Sequence, residues 1–164
     1  PQMAARKLKG FGMRILAYDP YASEQTAKEA GVVLTDMEQI IKESDFLSVH
    51  CPLTKDTRHI IGREEFRKMK STAFVINTAR GGIIDEAALI EALKEKEIAG
   101  AGIDVFEQEP AGPDNELLHL PNVIATPHSA WYSEVAITTL QRKVAEEVVN
   151  VLQGNRPFHC VNGL

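Results

Sequence analysis

Short apolar runs alternate with amphipathic stretches along all 164 residues. Pro1 to Gly10 reads as a basic helix, followed by the strand "MRILAY" with Asp19-Pro20 as its stop. "SEQTAKEAG" has helical character and halts at Gly31, and "VVL" is a short strand. "DMEQIIKES" is a helix for which Asp36 is a fitting N-cap. "DFLSVHC" is the next strand, ended by Pro52, and "GREEFRKMK" the next helix. "TAFVINT" reads as a buried strand that turns at Gly81-Gly82. "DEAALIEALKEKE" is the clearest helix, with Leu89, Leu93 and the alanines on one face. "GAGIDVF" and "NVIATP" are the last strands, and a long helix runs from Ser133 to Leu152. Its Val135, Leu140, Val144, Val148 and Val151 recur at mostly helical spacing.

Alternating β and α units with nearly continuous apolar strands predict an α/β fold, a parallel sheet covered on both faces. Open sheets of this kind bind ligands beyond the carboxyl ends of their strands. The residues that follow the strands are Asp19, Cys51, Thr78 to Gly82, Asp104 and His128, so the chemistry is expected there.

Composition changes this picture little. Hydrophobic residues at 44% and charged residues at 25% are ordinary for a soluble globular protein. A net charge of −5 and the lack of a Lys/Arg block argue against a nucleic-acid or anionic-membrane partner. No apolar run approaches the roughly 20 residues that span a bilayer. Cys51 and Cys160 form no CxxC pair, which points to a reducing, cytoplasmic setting. The five histidines show no ligand spacing, so no metal site is expected.

Three positions stand out chemically. Asp19 ends a strand where a dinucleotide fold carries its ribose-binding acid, and a carboxylate there would favour NAD over a 2′-phosphorylated cofactor. It equally fits a turn residue before Pro20. Arg80, beside two glycines, can grip a carboxylate with two prongs, or be a surface arginine paired with Asp85 or Glu86. His128 follows the last strand and can act as general acid or base, or be a satisfied structural histidine. With a partner from the "IDVFEQEP" loop, which offers Glu107 and Glu109, the combination becomes an anion clamp, a proton carrier and a group that orients the carrier. Trp131 reads either as core or as a wall of a substrate pocket. His50, His59 and His119 read as structural or solvent-facing, and Cys51 as a small residue lining a cleft.

Together, "ILAYDP", "HCPLTKDTRHIIG", "VINTARGGIIDEAALIEAL", "GAGIDVFEQEP" and "TPHSAWYSE" resemble the NAD-dependent D-2-hydroxyacid dehydrogenases, in family order and over nearly the whole chain. "PHSAWYSE" is most similar to the branch of the C-terminal binding proteins, with phosphoglycerate, glycerate and glyoxylate enzymes as relatives. The resemblance implies a Rossmann-type doubly wound parallel sheet and NAD as cofactor. It implies a catalytic trio of Arg80, Glu109 and His128. Its cofactor contacts fall on Asp19, on Cys51 and Pro52 through Thr57, on Thr78, Ala79 and Arg80, on Asp104, and on His128 and Ser129. Arg80 and His128, with Trp131, would line the substrate pocket.

The implied reaction interconverts a D-2-hydroxy acid and its 2-keto acid, and a homodimer is the expected assembly. The alternative is an NAD(H)-sensing interaction protein of the C-terminal binding protein type. The family's glycine fingerprint aligns its third glycine with Pro1, so the first strand and most of the glycine loop are expected upstream of Pro1. On this expectation residues 1–132 form an NAD-binding domain incomplete at its N-terminus. Residues 133–164 form a helix and tail returning towards a substrate domain.

Overall fold

A computed structural model describes residues 1–160. The final four residues of the expected 133–164 segment lie outside the described residues. The chain forms two compact units, the first Pro1–His128 and the second beginning at Ser129.

In the first unit, α1 (Gln2–Lys9) precedes β1 (Leu16–Ala17), α2 (Glu24–Ala30), β2 (Val33–Leu34) and α3 (Met37–Glu43). Then follow β3 (Phe46–Val49), α4 (Arg63–Lys68), β4 (Phe74–Asn77), α5 (Glu86–Lys94), β5 (Gly100–Ile103) and β6 (Val123–Ala125). Three of these helices, α2, α3 and α5, begin where a side chain satisfies an otherwise unpaired N–H group. Asp36 Oδ1 accepts from Gln39 N at 2.7 Å and Asp85 Oδ1 from Ala88 N at 3.0 Å. Gly31 ends α2 in the left-handed region with φ 71°, which its missing Cβ permits.

All strand pairs are parallel. β3, β4, β5 and β6 lie side by side in chain order, while β1 and β2 form a separate two-stranded sheet. Asn77 is in register with Val49 on one side and Ile103 on the other, so three strands end at one level. Leu16 of β1 packs against the core of the larger sheet. Arg14 and Glu43 pair at 2.9 Å between the β1 approach and α3.

The core lies on one face of the larger sheet. Leu47, Val49, Val75, Ala101 and Ile103 point into it and meet Ile40, Ile41, Phe66, Leu89 and Leu93 from the helices. Side chains that point away from this core are partly exposed. Phe46 is 55% exposed and Phe74 40%, their rings stacked with centroids 5.6 Å apart, and Ile124 is 75% exposed. Burial has period two: β3 and β4 alternate outward and inward residues, although six of their eight residues are apolar. Phe74 thus departs from the buried reading of "TAFVINT". The strands are also shorter than their apolar runs, with only Leu16 and Ala17 of "MRILAY" paired.

The second unit holds α6 (Glu134–Leu152), which starts as the sequence predicts, with Ser133 Oγ accepting from Ala136 N at 3.0 Å. Its Val135, Leu140, Val144, Val148 and Val151 are all exposed.

Phe66 is fully buried where α4 meets the core. We expect Phe66→Ala to lower unfolding free energy by about 3–5 kcal/mol in urea titrations, through lost burial and the cavity left behind. A cost below about 1 kcal/mol would contradict this core.

Candidate active site

The sequence-predicted residues of the first unit follow the carboxyl ends of strands. Asp19 follows β1, the segment from Cys51 to Thr57 follows β3, and Thr78 to Arg80 follow β4. Asp104 follows β5 and His128 follows β6. Parallel pairing sends every strand end to the same edge of its sheet, so residues remote in sequence become neighbours in space.

The turn after β4 is held from inside. Asn77 is buried at 1% exposure; its Nδ2 donates to Arg80 O at 2.9 Å and its Oδ1 accepts from Ala79 N at 3.0 Å. One amide therefore satisfies both ends of the Thr78–Arg80 turn and presents Arg80 to solvent. Arg80 Nη1 donates to Ala79 O at 2.6 Å. The alternative partners are engaged elsewhere: Asp85 caps α5, while Glu86 accepts from Glu107 N and Asn115 Nδ2.

Gly81 fixes the spacing between this turn and the next loop. A Cβ at Gly81 would lie 1.9 Å from Phe106 O and 2.5 Å from Glu107 N, so only glycine fits. That contact presses the Arg80 turn against the loop that carries Glu109. In the loop, Phe106 N donates to Glu109 Oε1 at 3.1 Å. The other carboxylate oxygen, Oε2, meets His128 Nδ1 at 2.8 Å. His128 sits at φ 51°, an uncommon conformation for a residue with a Cβ. Its N–H donates to Asp104 O at 2.8 Å and Thr126 O at 3.0 Å, which ties the histidine to the end of β5. Asp104 is itself buried, and Thr126 Oγ1 donates to its Oδ1.

Electrostatics agree with the geometry. The hydrogen bond with His128 holds the Glu109 carboxyl below its ordinary range. Burial opposes this, while the Phe106 N–H and the charges of His128 and Arg80 assist it. The structure thus brings Glu109 and His128 into contact and Arg80 within electrostatic reach of Glu109. Burial pushes the Cys51 thiol up, away from the reactive thiolate.

The remaining predicted positions have contacts of their own. Thr57 Oγ1 donates to Pro52 O at 2.7 Å and accepts from Thr54 N at 2.7 Å, closing the loop after β3. Asp19 Oδ1 accepts from Tyr21 N at 2.9 Å, so it does shape a turn; Asp19 remains exposed at the end of its strand. Ser129 and Trp131 belong to the second unit, where the Trp131 and Tyr132 rings meet edge to face at 5.9 Å. Sequence reading missed Asn77, Phe106 and Thr126. The signal for Asn77 was available, since it is a polar residue at the end of the apolar run "AFVIN". The roles of Phe106 N and Thr126 depend on loop geometry that no pattern displays.

A strand-end site with a carboxylate-backed histidine and an exposed arginine marks an α/β ligand-binding domain, and comparison identifies the family. Residues 2–130 match the D-isomer specific 2-hydroxyacid dehydrogenase NAD binding domain, and the chain belongs to that family. It is 49% identical over 158 residues to the glyoxylate reductase of Korarchaeum cryptofilum, covering 96% of this chain and 48% of the relative. It is 48% identical over 162 residues to the D-3-phosphoglycerate dehydrogenase of Methanocaldococcus jannaschii, covering 98% of this chain and 31% of that one. The crystal structure of D-lactate dehydrogenase with NAD+ from Lactobacillus jensenii superposes with a TM-score of 0.89 at 32% identity. That match covers 98% of this chain and 52% of the other. The chain therefore spans about half the length of these relatives, or less. They are reductases and dehydrogenases, and do not favour the interaction-protein alternative.

Because the carboxyl is depressed in the folded protein, its ionised contact with His128 is present above the ordinary value of 4.5. It is lost only as pH falls through the lower, folded-state value. Carbon-13 NMR of the Glu109 carboxyl should show a midpoint below 4.5, moving back towards that value in His128→Ala. An unmoved midpoint in the variant would remove the histidine as the cause.

Proposed function

We propose that this site serves an NAD-dependent oxidoreductase that interconverts a D-2-hydroxy acid and its 2-keto acid. One observation carries the reading: Arg80, Glu109 and His128, widely separated in sequence, converge beyond the carboxyl ends of parallel strands. The residues along that edge suit a dinucleotide. Asp19 offers an exposed carboxylate to ribose hydroxyls, Thr78 is an exposed hydroxyl, and the Cys51–Thr57 loop is closed by hydrogen bonds of Thr57. When bound, NAD(H) supplies or accepts the hydride at C2 of the substrate.

The chain's own residues supply binding and proton chemistry. Arg80 grips the substrate carboxylate and draws electron density from the neighbouring carbonyl. With Nδ1 turned to Glu109, proton exchange with the substrate oxygen falls to Nε2 of His128. In reduction Nε2 gives its proton to the forming alkoxide, and in oxidation it takes the hydroxyl proton. Glu109 fixes the ring orientation and stabilises the imidazolium, itself anchored by the Phe106 N–H. Trp131 joins Arg80 and His128 as a pocket residue in this reading, and Ser129 and Asp104 join the cofactor contacts.

A homodimer acting on a small hydroxy or keto acid in the cytoplasm completes the proposal. The apolar side chains exposed on α6 support an assembly. Two cysteines outside any disulfide among the described residues support a reducing compartment. No helix of the described residues is long and apolar enough to cross a membrane.

The full-length protein should oxidise NADH with glyoxylate, hydroxypyruvate or another 2-keto acid. His128→Ala should lower kcat by about 10²–10⁴-fold, and Arg80→Lys should raise the KM for the keto acid. Full activity in His128→Ala would refute the proton role. A preference for NADPH would refute the role of Asp19.

A further inference from the structure

A second histidine–carboxylate pair lies beside the site. His59 Nε2 meets Glu107 Oε1 at 2.8 Å, both side chains being about one-third exposed. His59 is the last residue of "TKDTRH", and its φ of 52° again lies in the left-handed region. Its N–H donates to Gly82 O at 2.9 Å. The same residue therefore holds the Arg80-Gly81-Gly82 turn through its backbone and the Glu109 loop through its ring. Glu107 in turn accepts from Glu86 N at 3.1 Å and donates its own N–H to Glu86 Oε2 at 2.9 Å. Asn115 Nδ2 donates to Glu86 Oε1 at 2.7 Å.

Two carboxylates, Glu86 and Glu107, are thus locked together at the start of α5, with His59 and Asn115 supplying donors. The lock sits beside the Gly81–Phe106 contact that sets the distance between the Arg80 turn and the Glu109 loop. Neither His59 nor Glu107 is one of the three groups assigned to substrate chemistry.

We infer that His59 and Glu107 form a clasp that positions Arg80 relative to the Glu109–His128 pair, making both of them positioning residues for the carboxylate-binding step. Resting on the reaction proposed above, the clasp governs how well the guanidinium meets the substrate carboxylate, and leaves the cofactor edge at Asp19 and Thr57 untouched. Opening it lets the turn and the loop separate, and a displacement on the order of 1 Å at a reacting group is costly.

The test uses the full-length protein and three single variants. His59→Asn keeps a residue that tolerates the left-handed backbone while removing the imidazole. Glu107→Ala removes the acceptor, and Glu107→Gln keeps it. His59→Asn and Glu107→Ala should each raise the KM for the 2-keto acid about tenfold, within the range of coupled neighbours. The KM for NADH should rise less than that for the keto acid, because only the Arg80 end of the cofactor edge moves, and the Tm should stay unchanged. The double variant should lose no more than either single one, and Glu107→Gln should retain most of the wild-type KM. Hydrogen exchange followed by mass spectrometry gives a readout independent of turnover: peptides spanning residues 79–86 should exchange faster in both variants, and those of β3 should not. Unaltered exchange across 79–86 would overturn the clasp. So would equal rises in both KM values, or additive losses in the double variant. A wild type that turns over no 2-keto acid would refute the proposed reaction, and exchange alone would then decide the clasp.

Discussion

The site depends on one close approach, that of the Gly81 Cα to the carbonyl of Phe106. Arg80 belongs to a turn at the end of β4, and Glu109 to a loop after β5. Hydrogen bonding between these strands fixes the register of Asn77 and Ile103, but not the distance between the loops beyond them. That distance is set where the turn meets the loop without any side chain between. A methyl group there would have to displace main chain on both sides, which a packed backbone resists far more than a flexible side chain would. Asn77 then fixes the turn from within, and Phe106 N–H fixes the Glu109 carboxylate from within the loop. The charged groups are exposed, but their supports are backbone contacts and a buried amide, so the geometry survives the mobility expected of surface side chains.

The same logic explains how a site can be ordered while its groups stay wet. Exposed ion pairs contribute little to stability. The His128–Glu109 pair, with both side chains roughly 40% exposed, therefore does not hold its loops in place. The loops hold the pair. His128 is tied through its own N–H to the carbonyls of Asp104 and Thr126, at the cost of an uncommon backbone conformation. The backbone accepts that strain because two carbonyls at the end of β5 and the start of the next turn converge on one donor. The His128 backbone is thus held by the strand ends, and its ring is turned towards Glu109.

Much of this was legible in the sequence, because the signals were local. Periodicity and end signals located the six helices and six strands, and Asp36, Gly31 and Ser133 stop or start helices as read. "TARGG", "EQEP" and "PHS" carry Arg80, Glu109 and His128, the positions that the family resemblance assigns to the proposed trio. Which strand residues of the larger sheet turn away from the core was not legible. Phe46, Phe74 and Ile124 are as apolar as the residues facing the core, and apolar content alone cannot tell an inward position from an outward one. The supports of the site were equally hidden. The Gly81 contact joins residues 25 or more positions apart, and a glycine in a "GG" pair looks like a turn whether or not it touches another loop.

His59 shows the same limit from the other side. As a lone histidine after a loop of threonines it reads as bland, and in the ordinary sense it is structural. Its importance comes from which two pieces of structure it joins. A histidine that joins two parts of a rigid core adds little, because each is already fixed by dozens of contacts. One that joins two loops whose separation sets a reacting geometry acts on a coordinate that few other contacts restrain. The backbone bond to Gly82 O and the ring contact to Glu107 fall on opposite sides of that separation. Structural and functional roles cease to be alternatives for such a residue: holding the loops together is how it would serve the chemistry.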